Sequence, residues 1–218
     1  MISITNILEF IGTFAAAISG IRLASNKQFD WFGAYVVGVA TAIGGGTLRD
    51  IQLDLTPFWM TSPSYLIASG LAFLWVLLFR QTLNRWAQTF FLFDAIGLAL
   101  FTVVGIDKSL ACGYPFWVAI TMGCVTGAAG GVIRDTLINE IPLIFRKEFY
   151  AMSSICGGII YWILYTCGLG SPYLQIMAGS MVFLIRLLGA HYRVGLPIMP
   201  DPDESPATKD HTPSSPKH

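Results

Sequence analysis

Ten residues of this chain recur 85 positions further on without a gap. Thr41-Ala42-Ile43-Gly44-Gly45-Gly46-Thr47-Leu48-Arg49-Asp50 lies over Thr126-Gly127-Ala128-Ala129-Gly130-Gly131-Val132-Ile133-Arg134-Asp135. Each copy sets a glycine run and an Arg-Asp pair in or against a long apolar stretch. In hydrocarbon that combination is costly unless it lines a polar path. Its duplication points to one path built from two halves.

The surroundings of the blocks are those of a membrane protein. Only 12% of the 218 residues are charged and 54% are hydrophobic, whereas soluble domains carry about 25% charged residues. Thirteen basic residues balance thirteen acidic ones, so there is no clustered basic surface of the kind nucleic acid needs. Met1 to Glu9 contains no Lys or Arg, which favours a retained first span over a secretory signal. Cys112, Cys124, Cys156 and Cys167 form no metal or redox pattern and are expected to be small buried hydrophobes. The histidines, His191, His211 and His218, all lie beyond the last apolar span. No metal, no cofactor and no catalytic site is expected.

A span takes about 20 mostly apolar residues. Seven candidates follow, at roughly 4–24, 31–53, 62–80, 88–107, 115–138, 149–168 and 172–190. From 191 to 218 the chain turns rich in Pro, Ser, Thr and Asp, a tail that cannot bury a core and is expected to be disordered. With seven spans, one side holds Arg22, Lys27, Arg80, Arg85, Arg146, Lys147 and Arg193, and the other holds little but Lys108. Lys and Arg favour the cytoplasm, so the N-terminus is predicted outside and the C-terminus inside.

The 85-residue offset extends past the glycine blocks. Ile11, Gly12, Gly20 and Ile21 match Ile96, Gly97, Gly105 and Ile106; Gly38, Pro57, Tyr65 and Ser69 match Gly123, Pro142, Tyr150 and Ser154; Glu9 falls opposite Asp94. The expected fold is therefore all-α. Residues 1–88 carry one three-helix repeat and 89–168 a second, with a seventh helix over 169–190 and the tail over 191–218. Three spans separate equivalent points, and three is odd, so the second copy is predicted to run inverted. Gly12, Gly20, Gly97 and Gly105 are expected to let helices pack closely. In the second and fifth spans Gly44, Gly45, Gly46, Gly130 and Gly131, with Thr41 and Thr126 beside them, predict a kink or unwound turn, because three glycines in a row cost a helix roughly 1 kcal/mol each.

Neighbouring residues on a helix do not face each other, so Arg49 and Arg134 are expected to find partners on other spans. Glu9 lies at the depth of Arg49, and Asp94 at the depth of Arg134. The predicted pairs are Glu9–Arg49 towards the outside and Asp94–Arg134 towards the inside, leaving Asp50 and Asp135 as surplus carboxylates that attract cations. The alternative is that all six charges form an architectural network.

With these blocks, repeat and seventh span together, the chain resembles the prokaryotic members of the trimeric intracellular cation (TRIC) channels, over about residues 5–190. Phe93-Asp94-Ala95-Ile96-Gly97-Leu98-Ala99-Leu100-Phe101 also looks like that branch. The resemblance implies a homotrimer in a bacterial inner membrane, in contact with lipids. Each subunit would hold a pore for potassium or sodium, chiefly potassium, between the kinked second and fifth spans. It makes Gly44, Gly45, Gly46, Gly130 and Gly131 the kink residues and Arg49, Asp50, Arg134 and Asp135 the charged motif residues. Ala129 departs from a full second glycine triplet. A different reading also stands. An interrupted helix offers carbonyls to a cation and a positive N-terminal end to a carboxylate, which suits a small-solute transporter, for example of glycine. A non-transporting scaffold or an enzyme has less in its favour: Gly44 to Arg49 lacks the lysine and spacing of a phosphate loop.

Overall fold

The structure is a computed structural model and describes residues 3–79, 89–146, 149–192 and 194. Within those residues it is all helical. α1 runs Ile4–Asn26, α2 Trp31–Gln52, α3 Phe58–Thr61, α4 Ser64–Leu78, α5 Thr89–Ala111, α6 Phe116–Leu137, α7 Ala151–Thr166 and α8 Ser171–His191, with a short 3₁₀ turn at Leu143–Phe145. The starts follow local chemistry. Ser3 accepts from the Asn6 amide and Asp30 from the Gly33 amide, as N-caps do. Pro57, Pro63, Pro115 and Pro142 stand just before α3, α4, α6 and the 3₁₀ turn.

Among the described residues five helices are long and apolar enough to cross a membrane: α1, α2, α5, α6 and α8. The expected third and sixth spans are shorter than predicted, at 15 residues for α4 and 16 for α7. At 1.5 Å per residue each reaches only about 24 Å or less. Each loses about two residues at either end: Pro63 and Phe79 cap α4, and Tyr150 and Cys167 cap α7. The expected disordered tail lies, beyond Val194, outside the described residues, as do Arg80, Arg85, Lys147 and Arg193. α8 continues through His191, past the expected end at 190.

α1 and α5 sit at the centre and pack on each other, α1 also on α2 and α4, α5 also on α6, α7 and α8. Their small residues allow it. Ala15, Ala16, Ala17, Ile18, Ala95, Leu98 and Ala99 are all buried. The outward faces of α4, α7 and α8 carry exposed Leu71, Leu74, Leu78, Trp162, Ile163, Tyr173 and Ile176, which suits hydrocarbon rather than water. The cysteines depart from expectation. Cys112 and Cys167 are exposed and Cys124 and Cys156 only partly covered, because the two exposed ones stand at helix ends.

Both glycine blocks stay helical throughout. The unwound turn expected at Gly44–Gly46 and Gly130–Gly131 is corrected: close approach, not release of the helix, is what these glycines provide. α2 and α6 cross here. A Cβ on Gly45 would fall onto the Thr126 carbonyl, and a Cβ on Gly130 onto the Thr41 carbonyl. The contact is reciprocal, residue for equivalent residue. The same holds one layer out, where a Cβ on Gly20 would stand 2.5 Å from Thr41 Oγ1 and one on Gly105 2.5 Å from Thr126 Oγ1.

The repeat reaches even the turns. Asp54 and Asn139, 85 positions apart, both adopt left-handed backbone at φ 57° and 56°. Each closes its helix with a bond from the next amide back to the motif aspartate: Leu55 to the Asp50 carbonyl and Glu140 to the Asp135 carbonyl, both 2.8 Å. This is a Schellman cap. Gln28 at φ 59° and Gly113 at φ 81° repeat the correspondence after α1 and α5.

Candidate ion pathway

Arg49 lies in the last turn of α2 and is fully buried. Its Nη2 donates to Glu9 Oε1 on α1 at 2.8 Å, and its Nε to Asp50 Oδ1 at 2.8 Å. Asp50 turns its other oxygen to the Phe58 amide, 2.8 Å away. Glu9 accepts in addition from the Tyr65 hydroxyl at 3.1 Å and from Lys108 Nζ at 2.8 and 3.0 Å. The Phe58 ring lies against both cations, 5.6 Å from the Arg49 guanidinium carbon and 5.5 Å from Lys108 Nζ. Two carboxylates and two cations thus balance.

The second copy is built alike. Arg134 pairs with Asp94 on α5, donates through Nε to Asp135 Oδ1 at 2.8 Å, and through Nη1 to Ser19 Oγ at 2.9 Å. Asp135 Oδ2 accepts from the Leu143 amide at 3.1 Å. The Arg134 guanidinium stacks on Phe90 at 4.8 Å. Arg186 of α8 is wholly buried between the rings of Phe91 and Tyr150, at 4.7 and 5.0 Å. Both arginines keep one amino nitrogen, Arg49 Nη1 and Arg134 Nη2, without a hydrogen-bond partner among the described residues.

Both expected cross-span contacts, Glu9 with Arg49 and Asp94 with Arg134, are present. Two expectations are corrected. Neighbouring Arg and Asp do touch, because the long guanidinium folds back at the helix end, where no further turn stands in the way. Asp50 and Asp135 are not surplus. Each ties its helix end to the chain segment that follows, through the amide of Phe58 or Leu143. Lys108, Ser19 and Arg186 escaped sequence reasoning as site residues. The copies of Lys108 and Ser19 at the 85-residue offset are Leu23 and Val104, and Arg186 lies on the seventh helix outside the repeat, so the repeat gives no signal for them.

Space is distributed unevenly along the crossing. A cavity of about 760 Å³ opens beside Glu9, Asp50, Phe58, Tyr65 and Lys108. Past the Gly45–Gly130 contact, a crevice lined by Ser19, Thr41, Asp94, Thr126, Gly130 and Tyr150 measures only about 10 Å³, about enough for one water molecule. A third space of about 190 Å³ follows beside Asp135, Lys27, Glu140 and Arg146. The wide cavity and the third space thus lie on either side of this narrow crevice. At the far end Lys27 Nζ pairs with Glu140 at 2.5 Å, and Arg146 with Glu140 at 3.0 Å. The Lys27 ammonium beside it holds the Glu140 carboxyl below the usual carboxylate range.

Comparison with known proteins agrees with this geometry. The family model described as "Glycine transporter" matches twice, at residues 6–81 and 91–166, so its two matches stand at the same 85-residue offset as the glycine blocks. The inner membrane protein YadS of Escherichia coli K12, a UPF0126 protein, is 39% identical over 87% of this chain and 93% of its own length. Among solved structures, the TRIC trimeric intracellular cation channel orthologue from Rhodobacter sphaeroides superposes with a TM-score of 0.82 at 31% identity, over 88% of this chain and 99% of that one. A prokaryotic TRIC channel in 0.5 M KCl gives 0.80 at 32%, over 88% and 98%. The chain is therefore a multi-pass inner-membrane protein that belongs to the UPF0126 (glycine transporter model) family and shares the fold of the bacterial TRIC channels.

Proposed function

We propose that the chain is a monovalent-cation channel, chiefly for potassium, that works as a homotrimer with one path in each subunit. The path follows the crossing of α2 and α6. The observation that carries this reading is the sequence of spaces just described: a wide cavity lined in part by Glu9, Asp50 and Lys108, the glycine contact, then a narrow polar crevice holding Asp94. Two bacterial TRIC channels at 31–32% identity share the fold. Their names supply the trimer and the permeant class, which we extend to this chain.

In the described state the path is shut at Gly45 and Gly130. Opening means parting α2 from α6. Thr41 and Thr126 each bond the carbonyl four residues back, at 2.6 and 2.5 Å, a bond that bends helices and loosens them locally. This supports a bend at the glycines as the opening motion. Glu9, Asp94 and the free amino nitrogens of Arg49 and Arg134 then face water in the path. We read the two halves as inverted copies forming seven spans. The reciprocal contacts Gly45–Thr126 and Gly130–Thr41 are what a two-fold relation produces. The N-terminus is read as outside, since Arg22, Lys27 and Arg146 mark the cytoplasmic end.

One observation favours a second reading. Unequal spaces on either side of a closed contact also describe a transporter that alternates its access, and the family model is described as a glycine transporter. Purified protein in a planar bilayer separates the two. Unitary current steps in KCl, with a reversal potential that follows the potassium gradient, support the channel. A silent bilayer, together with saturable glycine uptake into vesicles, overturns it in favour of the transporter.

A further inference from the structure

A second polar cluster lies behind the pathway, one helix face away. Asp107 precedes Lys108 on α5. Lys108 turns to Glu9, whereas Asp107 turns to α1, α7 and α8. Its Oδ2 accepts from the Thr5 hydroxyl at 2.6 Å and its Oδ1 from the Tyr161 hydroxyl at 3.0 Å. Gln175 of α8 donates from Nε2 to Thr5 Oγ1 at 3.0 Å. Four helices thus contribute one side chain each.

The hydrogen bonds fix which way the amide points. The Thr5 hydroxyl has one proton, which it gives to Asp107, so towards Gln175 it is an acceptor and must face the NH₂ group. That leaves Gln175 Oε1 as the unspent acceptor. Gln175 is 1% exposed, and its Oε1 has no hydrogen-bond partner among the described residues. No ion pair reaches Asp107 either, among the described residues. A carboxylate without a cation and a buried amide carbonyl without a donor are both costly, and the Thr5 hydroxyl links their side chains, donating to Asp107 and accepting from the Gln175 NH₂ group.

We propose that Asp107, Thr5, Tyr161 and Gln175 form a binding site for one small monovalent metal cation, separate from the conduction path. The donor set is oxygen only, which selects hard cations over zinc or copper. A single carboxylate balances a single positive charge. A divalent ion would leave a net charge in a half-buried site of low dielectric. The site joins α1 and α5 to α7 and α8 at the end of the molecule that carries the wide cavity. An ion there would brace the central helices against the peripheral ones.

The test melts the full-length protein in detergent, with NaCl or KCl replacing N-methylglucamine chloride at constant ionic strength. The wild-type midpoint is expected to climb by about 5 °C at saturation with one of the two ions. The climb is expected to vanish in Asp107→Asn. Tyr161→Phe and Gln175→Leu are expected to weaken the apparent affinity at least tenfold, whereas Glu9→Gln, in the wide cavity, should keep it. A flat wild-type titration with both ions overturns the proposal. So does a climb produced by calcium alone, a full climb in Asp107→Asn, or a climb lost only in Glu9→Gln. If Asp107→Asn does not fold, unchanged affinity in both Tyr161→Phe and Gln175→Leu overturns it.

Discussion

The two arginine centres are copies of one design, yet they satisfy their charges differently. At Arg49, Glu9 receives three donors: the guanidinium, the Tyr65 hydroxyl and the Lys108 ammonium. At Arg134, Asp94 has the guanidinium, while its Oδ2 has no hydrogen-bond partner among the described residues. Tyr150, the copy of Tyr65, instead lies under Arg186. The first centre opens on a wide cavity and the second on a crevice. Duplication therefore preserved the helix-end geometry and left the supporting partners to diverge. Both centres combine hydrogen bonds with an aromatic face, but the first gains a second cation in Lys108 beside a wide cavity, whereas the second lies against a narrow crevice.

That contrast can be broken most directly at the arginines. Arg134→Met leaves Asp94 and Asp135 buried without their cation, and should cost about 3–5 kcal/mol. Arg49→Met should cost less, because Lys108 and Tyr65 still hold Glu9. Thermal unfolding in detergent checks the order, and equal losses would mean that Lys108 does not support its centre. Next in size are Gly45→Ala and Gly130→Ala. Each drives a Cβ into a carbonyl, so each should cost about 1–3 kcal/mol by overpacking. Gly70→Ala, with nothing within 4 Å of the added carbon, should cost nothing. Unequal effects of the first two would show that the crossing is not symmetric.

Smaller effects sharpen the comparison. Lys108→Leu gives the second copy the residue type that the first copy has at Leu23. It should raise cation conductance severalfold and leave trimers intact, as read by single-channel recording and size-exclusion chromatography. Gln28→Gly, at a left-handed position where the second copy already has Gly113, should stabilise by about 1 kcal/mol. Least affected is the exposed end. Glu140 has a lowered pKa, held down by Lys27. Its contribution is present above the ordinary carboxylate pKa, pH 7 included, and is lost as pH falls through the lowered one. Both partners are exposed, so Glu140→Gln should lower the midpoint at pH 7 only marginally.

Much of this was legible in the sequence, because identical spacing carries identical geometry. The offset located the Arg-Asp pairs, the matching Tyr65 and Tyr150, and the glycines of α2 and α6. Periodicity and depth were enough to pair Arg49 with Glu9. What escaped were residues whose role comes from tertiary neighbours. Nothing near Lys108, Asp107 or Arg186 in the chain says which helix they turn to. The unwound turn was expected wrongly for a related reason. Helix propensity alone predicts that a triplet unwinds, but a second helix lying against the triplet reverses that balance through close backbone packing. The left-handed turns were invisible too, since Asp54 and Asn139, or Gln28 and Gly113, share a conformation without sharing an identity.

The reciprocal contact at the crossing bears on how such a duplicate can drift. Other contacts between the copies, such as Lys108 with Glu9 and Ser19 with Arg134, differ from one half to the other, and residues such as Lys108 and Leu23 have gone separate ways. At Gly45 and Gly130 the neighbour is the other copy's threonine carbonyl. Each half is there the environment of the other, so a change in one half is felt at once in its twin. Gly45 and Gly130 are in effect a joint inheritance: a backbone carbonyl stays whatever residue replaces Thr41 or Thr126, so neither glycine can take a side chain while the two helices cross this closely.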